Sequence, residues 1–237
     1  MNFLYRHRAA FGFFSLFLAV AVTFGFCFFA LSKTTAESLR LTVVIDAGHG
    51  GIDGGVVGVN SGVKESVINL EISRMLQQEF EDAGFRVVLT RETEAGLYGA
   101  ATTGYKKRDM KKRAEIINAS NPALVLSVHQ NFFSLSSRRG AQVFFREDNE
   151  QSVSLACMIQ SALNAMPECV RQSEPLKGDY YILNCNDFPS VIVECGFLSN
   201  AEDEALLLDG AYRKKLVSAI AAGALSFLSS SVDFSAA

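Results

Sequence analysis

Histidine is scarce in this chain: 237 residues carry three, and no pair of them has the HExxH spacing of a helix-borne metal site. The glycine-rich stretch Gly48 to Gly55 fits neither GxGxxG nor GxxxxGK[ST], and no helix opens directly after it, which argues against a phosphate-cradling loop. Of five cysteines, Cys27 sits in an apolar run, and Cys157, Cys169, Cys185 and Cys195 follow neither CxxC nor any metal-binding spacing. That favours reduced core or surface thiols over a disulfide framework. Acidic residues are missing before Glu37, whereas three of the 22 basic ones (Arg6, Arg8, Lys33) stand there. The chain from Glu37 onward therefore holds 19 basic residues against 25 acidic ones, a net −6 that disfavours nucleic acid as a partner.

Charge is also missing from Ala9 to Leu31, an apolar run of about the length that crosses a bilayer. Arg6, His7 and Arg8 precede it, so the positive-inside rule leaves the N-terminus in the cytoplasm and makes the rest extracytoplasmic. The run is longer than a usual signal-peptide core and Thr34-Thr35-Ala36 is a mediocre cleavage site, which favours a retained anchor while leaving a cleaved signal peptide open. Residues 1–36 are thus a signal-anchor or signal peptide. A composition 49% apolar and 20% charged is that of a globular protein. With no internal repeat, residues 37–231 read as one domain, and the serine-rich end, 232–237, as a frayed tail.

What is present alternates between apolar runs and amphipathic stretches, the pattern of an α/β fold. Strands are expected at Leu41 to Asp46, Arg86 to Thr90, Ala123 to Val128, Gln142 to Phe145, Tyr180 to Leu183 and Val191 to Val193. Ile68, Ile72, Met75 and Leu76 mark one face of a helix running to about Asp82, stopped by Ala83-Gly84. Met110, Ala114 and Ile117 give the inner face of another helix, Ser152 to Ala165 a third, and Leu206 to Leu208 and Leu216 to Leu228 further helical turns. Arg91 to Lys107 is polar and long enough to be a functional loop. Lys106, Lys107, Arg108, Lys111, Lys112 and Arg113 are most simply a solvated helix face, with contact to an anionic polymer the lesser alternative.

His49 and His129 both follow strand C-termini, which lie along one edge of a parallel sheet where α/β folds place their ligands. Glu194, ending a third apolar strand, would join them, and Glu65, at the expected start of the first helix, competes for the same cleft. Two imidazoles and one carboxylate suit zinc, with either acid as the third ligand. The blander alternatives are hydrogen-bonded histidines, a helix-terminal charge at Glu65 and a capping acid at Glu194. Cys195, next to Glu194, is turned by strand alternation to the opposite face and reads as a core thiol.

Four blocks together resemble a known family: Ile45-Asp-Ala-Gly-His-Gly-Gly-Ile-Asp53 with Gly55, Lys64-Glu65 before Asn69-Leu70, Ser127-Val-His-Gln-Asn131, and Val193-Glu-Cys-Gly-Phe-Leu-Ser-Asn200. They are similar to the zinc-dependent N-acetylmuramoyl-L-alanine amidases of bacterial cell walls (amidase type 3), in order and over nearly the whole exported chain. The resemblance implies a single-domain, mostly parallel twisted sheet flanked by helices on both faces. It implies one Zn2+ held by His49, Glu65 and His129, with Glu194 as the catalytic acid/base. The implied reaction is hydrolysis of the amide joining the lactyl group of muramic acid to L-alanine in peptidoglycan.

Export, the absence of wall-binding repeats and Arg108-Asp-Met-Lys-Lys-Arg113 look most like the germination-specific amidases that act on spore cortex and lead to muramic lactam. That likeness implies glycan strands and stem peptides as substrate, a lipoprotein activator and a polysaccharide deacetylase as partners, and placement outside the cytoplasm, up to the space between forespore and mother cell. A vegetative wall amidase and a non-catalytic peptidoglycan-binding protein of the same fold stay as alternatives. The chain departs from many relatives at Phe132-Phe133, a bulky pair expected at the rim of the cleft.

Overall fold

The computed structural model describes residues 40–100 and 103–235. The apolar run Ala9 to Leu31, and with it the expected anchor or signal, lies outside the described residues. Among the described residues no helix is long and apolar enough to cross a membrane.

The elements run in chain order as β1 (Thr42–Ala47), α1 (Glu65–Asp82), β2 (Arg86–Leu89), α2 (Tyr105–Ser120), β3 (Leu124–Asn131), β4 (Gln142–Phe145), α3 (Glu150–Asn164), β5 (Leu176–Lys177), α4 (Tyr181–Asn184), β6 (Ser190–Phe197), α5 (Ala201–Leu208) and α6 (Gly210–Ser235). One mixed six-stranded sheet has the order β2-β1-β3-β6-β4-β5. Every neighbouring pair is parallel except β4 with β6.

Strand alternation assigns each residue a face. Val43 and Ile45, Leu124, Leu126 and Val128, and Val191, Val193 and Cys195 point into the larger core, where Ile68, Ile72, Leu76 and Phe80 of α1 meet side chains of α3 and α6. Val44, Val125 and Ile192 point the other way, against Ile117 of α2 and Ile182 and Leu183 of α4. Helices therefore cover both faces, as near-continuous apolar strands require. The buried thiol of Cys195 belongs to the larger core, on the face away from Glu194.

Three expectations change. Tyr180 to Leu183 does not pair into the sheet: Tyr181–Asn184 is one helical turn that buries the consecutive residues Ile182 and Leu183, a spacing a two-faced strand cannot supply. Strands β3 and β6 also run past the expected ends, so His129 and Glu194 lie inside strands, directly opposite one another in register. A register shift between His129 and Asn131 then breaks the ladder, the local irregularity that commonly re-aims side chains beside active sites. Finally, the inner face of α2 is partly charged, with Asp109 and Arg113 buried beside Ile117.

Candidate metal centre and active-site cleft

His49, Glu65 and His129 come from three separate elements and each offers a ligand atom within 4.8 Å of the others. Such a group can hold a metal ion. Glu65 is the hub. One of its oxygens lies 2.9 Å from His129 Nδ1 and accepts from the Gln130 backbone N–H at 3.1 Å and from Asn69 Nδ2 at 3.1 Å. The other lies 3.3 Å from His49 Nε2 and accepts from the Val56 N–H at 2.9 Å. Helix α1 packs against the larger core, and Glu65, in its first turn, meets His49 from the loop after β1 and His129 of β3.

Glycine makes this approach possible. A Cβ at Gly48 would sit 2.3 Å from His129 Cε1, and one at Gly55 would sit 2.3 Å from a Glu65 oxygen. His49 itself has φ 59°, a left-handed conformation that costs a non-glycine residue on the order of 1–3 kcal/mol and persists only where the surroundings impose it.

Those surroundings are two buried guanidiniums. Arg113 donates from Nη2 to the His49 carbonyl at 2.5 Å and from Nη1 to the Ala47 carbonyl at 2.6 Å. Arg91 donates to the carbonyls of Ala47 and Gly48, each at 2.9 Å. Arg113 is 1% exposed, held by Asp46 and Asp109 at 2.6 Å each, so its membership of a solvated basic face is corrected. Sequence reasoning missed this clamp of Asp46, Arg91, Asp109 and Arg113. Its signal was Asp46, a carboxylate at the end of a buried strand, which demands a partner.

Glu194 lines a cavity of about 280 Å³ together with His49, His129, Lys106, Tyr180 and Tyr181. Its Oε2 is buried and has no hydrogen-bond partner among the described residues. It caps no helix: α5 is capped by Asn200, whose side chain accepts from the N–H groups of Glu202 and Asp203. Burial pushes the Glu194 pKa up to about 7, His129 and His49 pulling it back and Glu65 adding to the rise. In Glu65 burial acts the same way but is overcome by the hydrogen bonds and charges of His129 and His49, and its carboxyl stays well below the usual range. Burial would lower the His49 pKa, yet Glu65 and Asp53 raise it. One site thus holds an ionised carboxylate among nitrogens and, facing the cavity, a carboxyl poised near neutrality. Two carboxyls of one cleft whose surroundings push their pKa values apart are able to serve different chemical tasks.

Phe132 and Phe133 do not line this cavity; they are exposed beside it in the chain, with Arg138 over the Phe133 ring.

Comparison with known proteins matches residues 43–226 to the family described as N-acetylmuramoyl-L-alanine amidase. A germination-specific N-acetylmuramoyl-L-alanine amidase of Bacillus subtilis (strain 168) is 31% identical over 195 residues, 81% of each chain. The CwlD amidase of Clostridioides difficile, solved in complex with the GerS lipoprotein, is similar at TM-score 0.77 and 38% identity, covering 80% of this chain and 99% of that one. An N-acetylmuramoyl-L-alanine amidase of Clostridium difficile 630 is similar at TM-score 0.72 and 27% identity, covering 81% of this chain and 98% of that one.

Proposed function

This chain belongs to the N-acetylmuramoyl-L-alanine amidase family and is a hydrolase of that class, and on this premise we propose how its residues divide the work. His49, Glu65 and His129 hold zinc, for which two nitrogens and one oxygen are an ordinary catalytic ligand set. Bound zinc supplies Lewis acidity toward water and the scissile carbonyl. Glu194 takes the proton of the attacking water as the new C–O bond forms, and delivers it to the L-alanine nitrogen as the C–N bond breaks. The products are a lactyl carboxylate on muramic acid and a stem peptide with a free amine. The observation that carries this reading is that Glu194, whose Oε2 has no hydrogen-bond partner among the described residues, lines the same cavity as both histidines.

We assign the substrate to spore cortex, where removal of the stem precedes muramic lactam formation by a deacetylase, and infer a lipoprotein activator. The similarity to the germination-specific enzyme and to an amidase solved with a lipoprotein supports this. Both readings put the enzyme outside the cytoplasm, joined to or released from the membrane by the segment before residue 37.

The full chain, stripped with chelator, is expected to release no stem peptides from peptidoglycan and to recover with about one equivalent of zinc. Release that is indifferent to chelator would remove the zinc assignment. Spores lacking the chain are expected to lose muramic lactam from the cortex; cortex unchanged with daughter cells unseparated would move the role to the vegetative wall.

A further inference from the structure

We propose that the groove beyond β6 is a subsite for the carboxylates of the stem peptide, with Arg138 and Arg171 as its anion-binding residues. The proposal rests on the amidase reading and adds to it which part of the substrate is recognised and where.

Sheet order places this groove beside the site. Along the edge that holds the site, His49 comes just after β1, His129 is in β3 and Glu194 in β6, and the next strand outward is β4. Gln142, the first residue of β4, is the register partner of Glu194. Just past it lies a second cavity, of about 380 Å³, lined among others by Arg138, Arg139, Arg171, Gln142, Glu174 and Phe197. The two cavities therefore flank the same strand pair on the same sheet edge.

The cations there differ in their commitments. Arg139 is occupied by Glu202 and by Asp203, the latter at 3.4 Å. Arg138 lies over Phe133, its guanidinium carbon 5.3 Å from the ring centroid. Arg171 is exposed, and no described carboxylate pairs with it or with Arg138. Glu174 is the one acid of the lining, and its backbone carbonyl is taken by Gln142 Nε2 at 2.6 Å. Two uncommitted guanidiniums at one groove stand out in an exported chain whose net charge is −6.

The chemistry fixes the direction in which substrate runs. Glu194 gives its proton to the leaving nitrogen, so the L-alanine side of the amide lies toward β6 and the stem continues outward over β4. Neighbouring strands are about 4.8 Å apart and an extended chain advances about 3.3–3.6 Å per residue, so the second and third stem residues fall over β4 and β5. In peptidoglycan these are the positions that bear free carboxylates unless amidated. Guanidinium forks match carboxylate geometry, and Arg138 and Arg171 are placed to receive them.

The test uses the zinc-loaded full chain and two muramyl peptides that differ only in whether the stem carboxylates are free or amidated. The wild type is expected to cleave both and to prefer the free acid. The double variant Arg138→Ala/Arg171→Ala is expected to lose about five- to tenfold in kcat/KM on the free acid, mainly through KM, with little change on the amidated stem. Arg146→Ala, which removes a guanidinium already paired with Asp148 at 2.6 Å, is expected to change neither. The preference for free acid is expected to shrink as salt is raised. An equal loss on both stems, or no loss on either, would overturn the subsite while leaving the amidase reading standing. Failure of the wild type on both stems, alone and with the activating lipoprotein added, would overturn that reading and the subsite with it.

Discussion

Two carboxylates on the same face of the sheet, the buried Asp46 and the half-buried Glu194, have opposite fates. Asp46, at the end of β1, accepts from Arg113 Nη1 at 2.6 Å, Thr90 Oγ1 at 2.7 Å and Ser127 Oγ at 2.6 Å. Burial opposes its charge, but Arg113 and these hydrogen bonds prevail and take its pKa down to about 2. Glu194 is half-buried and has one oxygen with no partner among the described residues, and loss of hydration lifts its pKa to about 7. Burial alone therefore does not decide what a carboxylate is for. Full hydrogen bonding makes Asp46 a fixed charge that anchors the His49 loop through Arg113, whereas the vacant lone pairs of Glu194 leave it free to exchange a proton.

Removing the carboxyl proposed as proton carrier breaks the comparison most sharply. Glu194→Gln keeps the shape and loses the exchange, so kcat should fall by about 10²–10⁴-fold with zinc stoichiometry unchanged, as read by stem release and metal analysis. A variant retaining more than a tenth of wild-type turnover would contradict the role.

Removing the anchor's cation should act on stability instead. Arg113→Ala strands Asp46 without its counter-charge and is expected to cost about 3–5 kcal/mol, seen as a large drop in denaturation midpoint. A stability loss below about 1 kcal/mol would show that the clamp is not what holds the loop.

The pH dependence of the chelated chain should carry both signatures, with opposite signs. Asp46 titrates at an ordinary 3.8 when unfolded and at about 2 when folded, so its contribution is complete above pH 4 and is lost as pH falls toward 2, about 2 kcal/mol in all. For Glu194, with 4.5 unfolded and about 7 folded, the folded state holds the proton longer, so stability declines as pH rises from 4.5 to 7. Denaturation of Asp46→Asn and Glu194→Gln across pH 2–8 should flatten the acid limb in the first and the neutral limb in the second. An unchanged neutral limb in Glu194→Gln would assign that decline to another group.

The smallest effect is expected at Phe132. This residue is 51% exposed and outside the cavity, so Phe132→Ser should alter stability by about 0.5 kcal/mol or less and leave kcat unchanged. A substantial change in KM would restore it to the rim of the cleft.

Much of the site is legible in the sequence because it sits where strands end. The apolar runs before His49 and His129 and the periodicity of Ile68, Ile72 and Leu76 mark β1, β3 and α1, and the motif resemblance supplies the pairing of Glu65 with the histidines. The clamp is legible only as the need of Asp46 for a partner, not as the identity of that partner. Arg113 stands among Lys106, Lys107, Arg108, Lys111 and Lys112 in the chain, and helix periodicity by itself does not say that one cation of six turns inward. Tyr180 to Leu183 reads as a strand because a four-residue apolar run has no period long enough to separate a strand from the helical turn Tyr181–Asn184.

By itself the sequence determined the alternating α/β framework, the family and the residue types able to bind a metal, because hydrophobic period and local motifs are written along the chain. Only the tertiary structure decided that Asp46 is satisfied and Glu194 is not, that Arg113 is buried, and that Gln142 and an arginine-lined groove lie beside the acid. Those are facts about which side chains share a face of the sheet and how many partners each finds there. Strand order and register, which bring together residues from Asp46 to Glu194, set them.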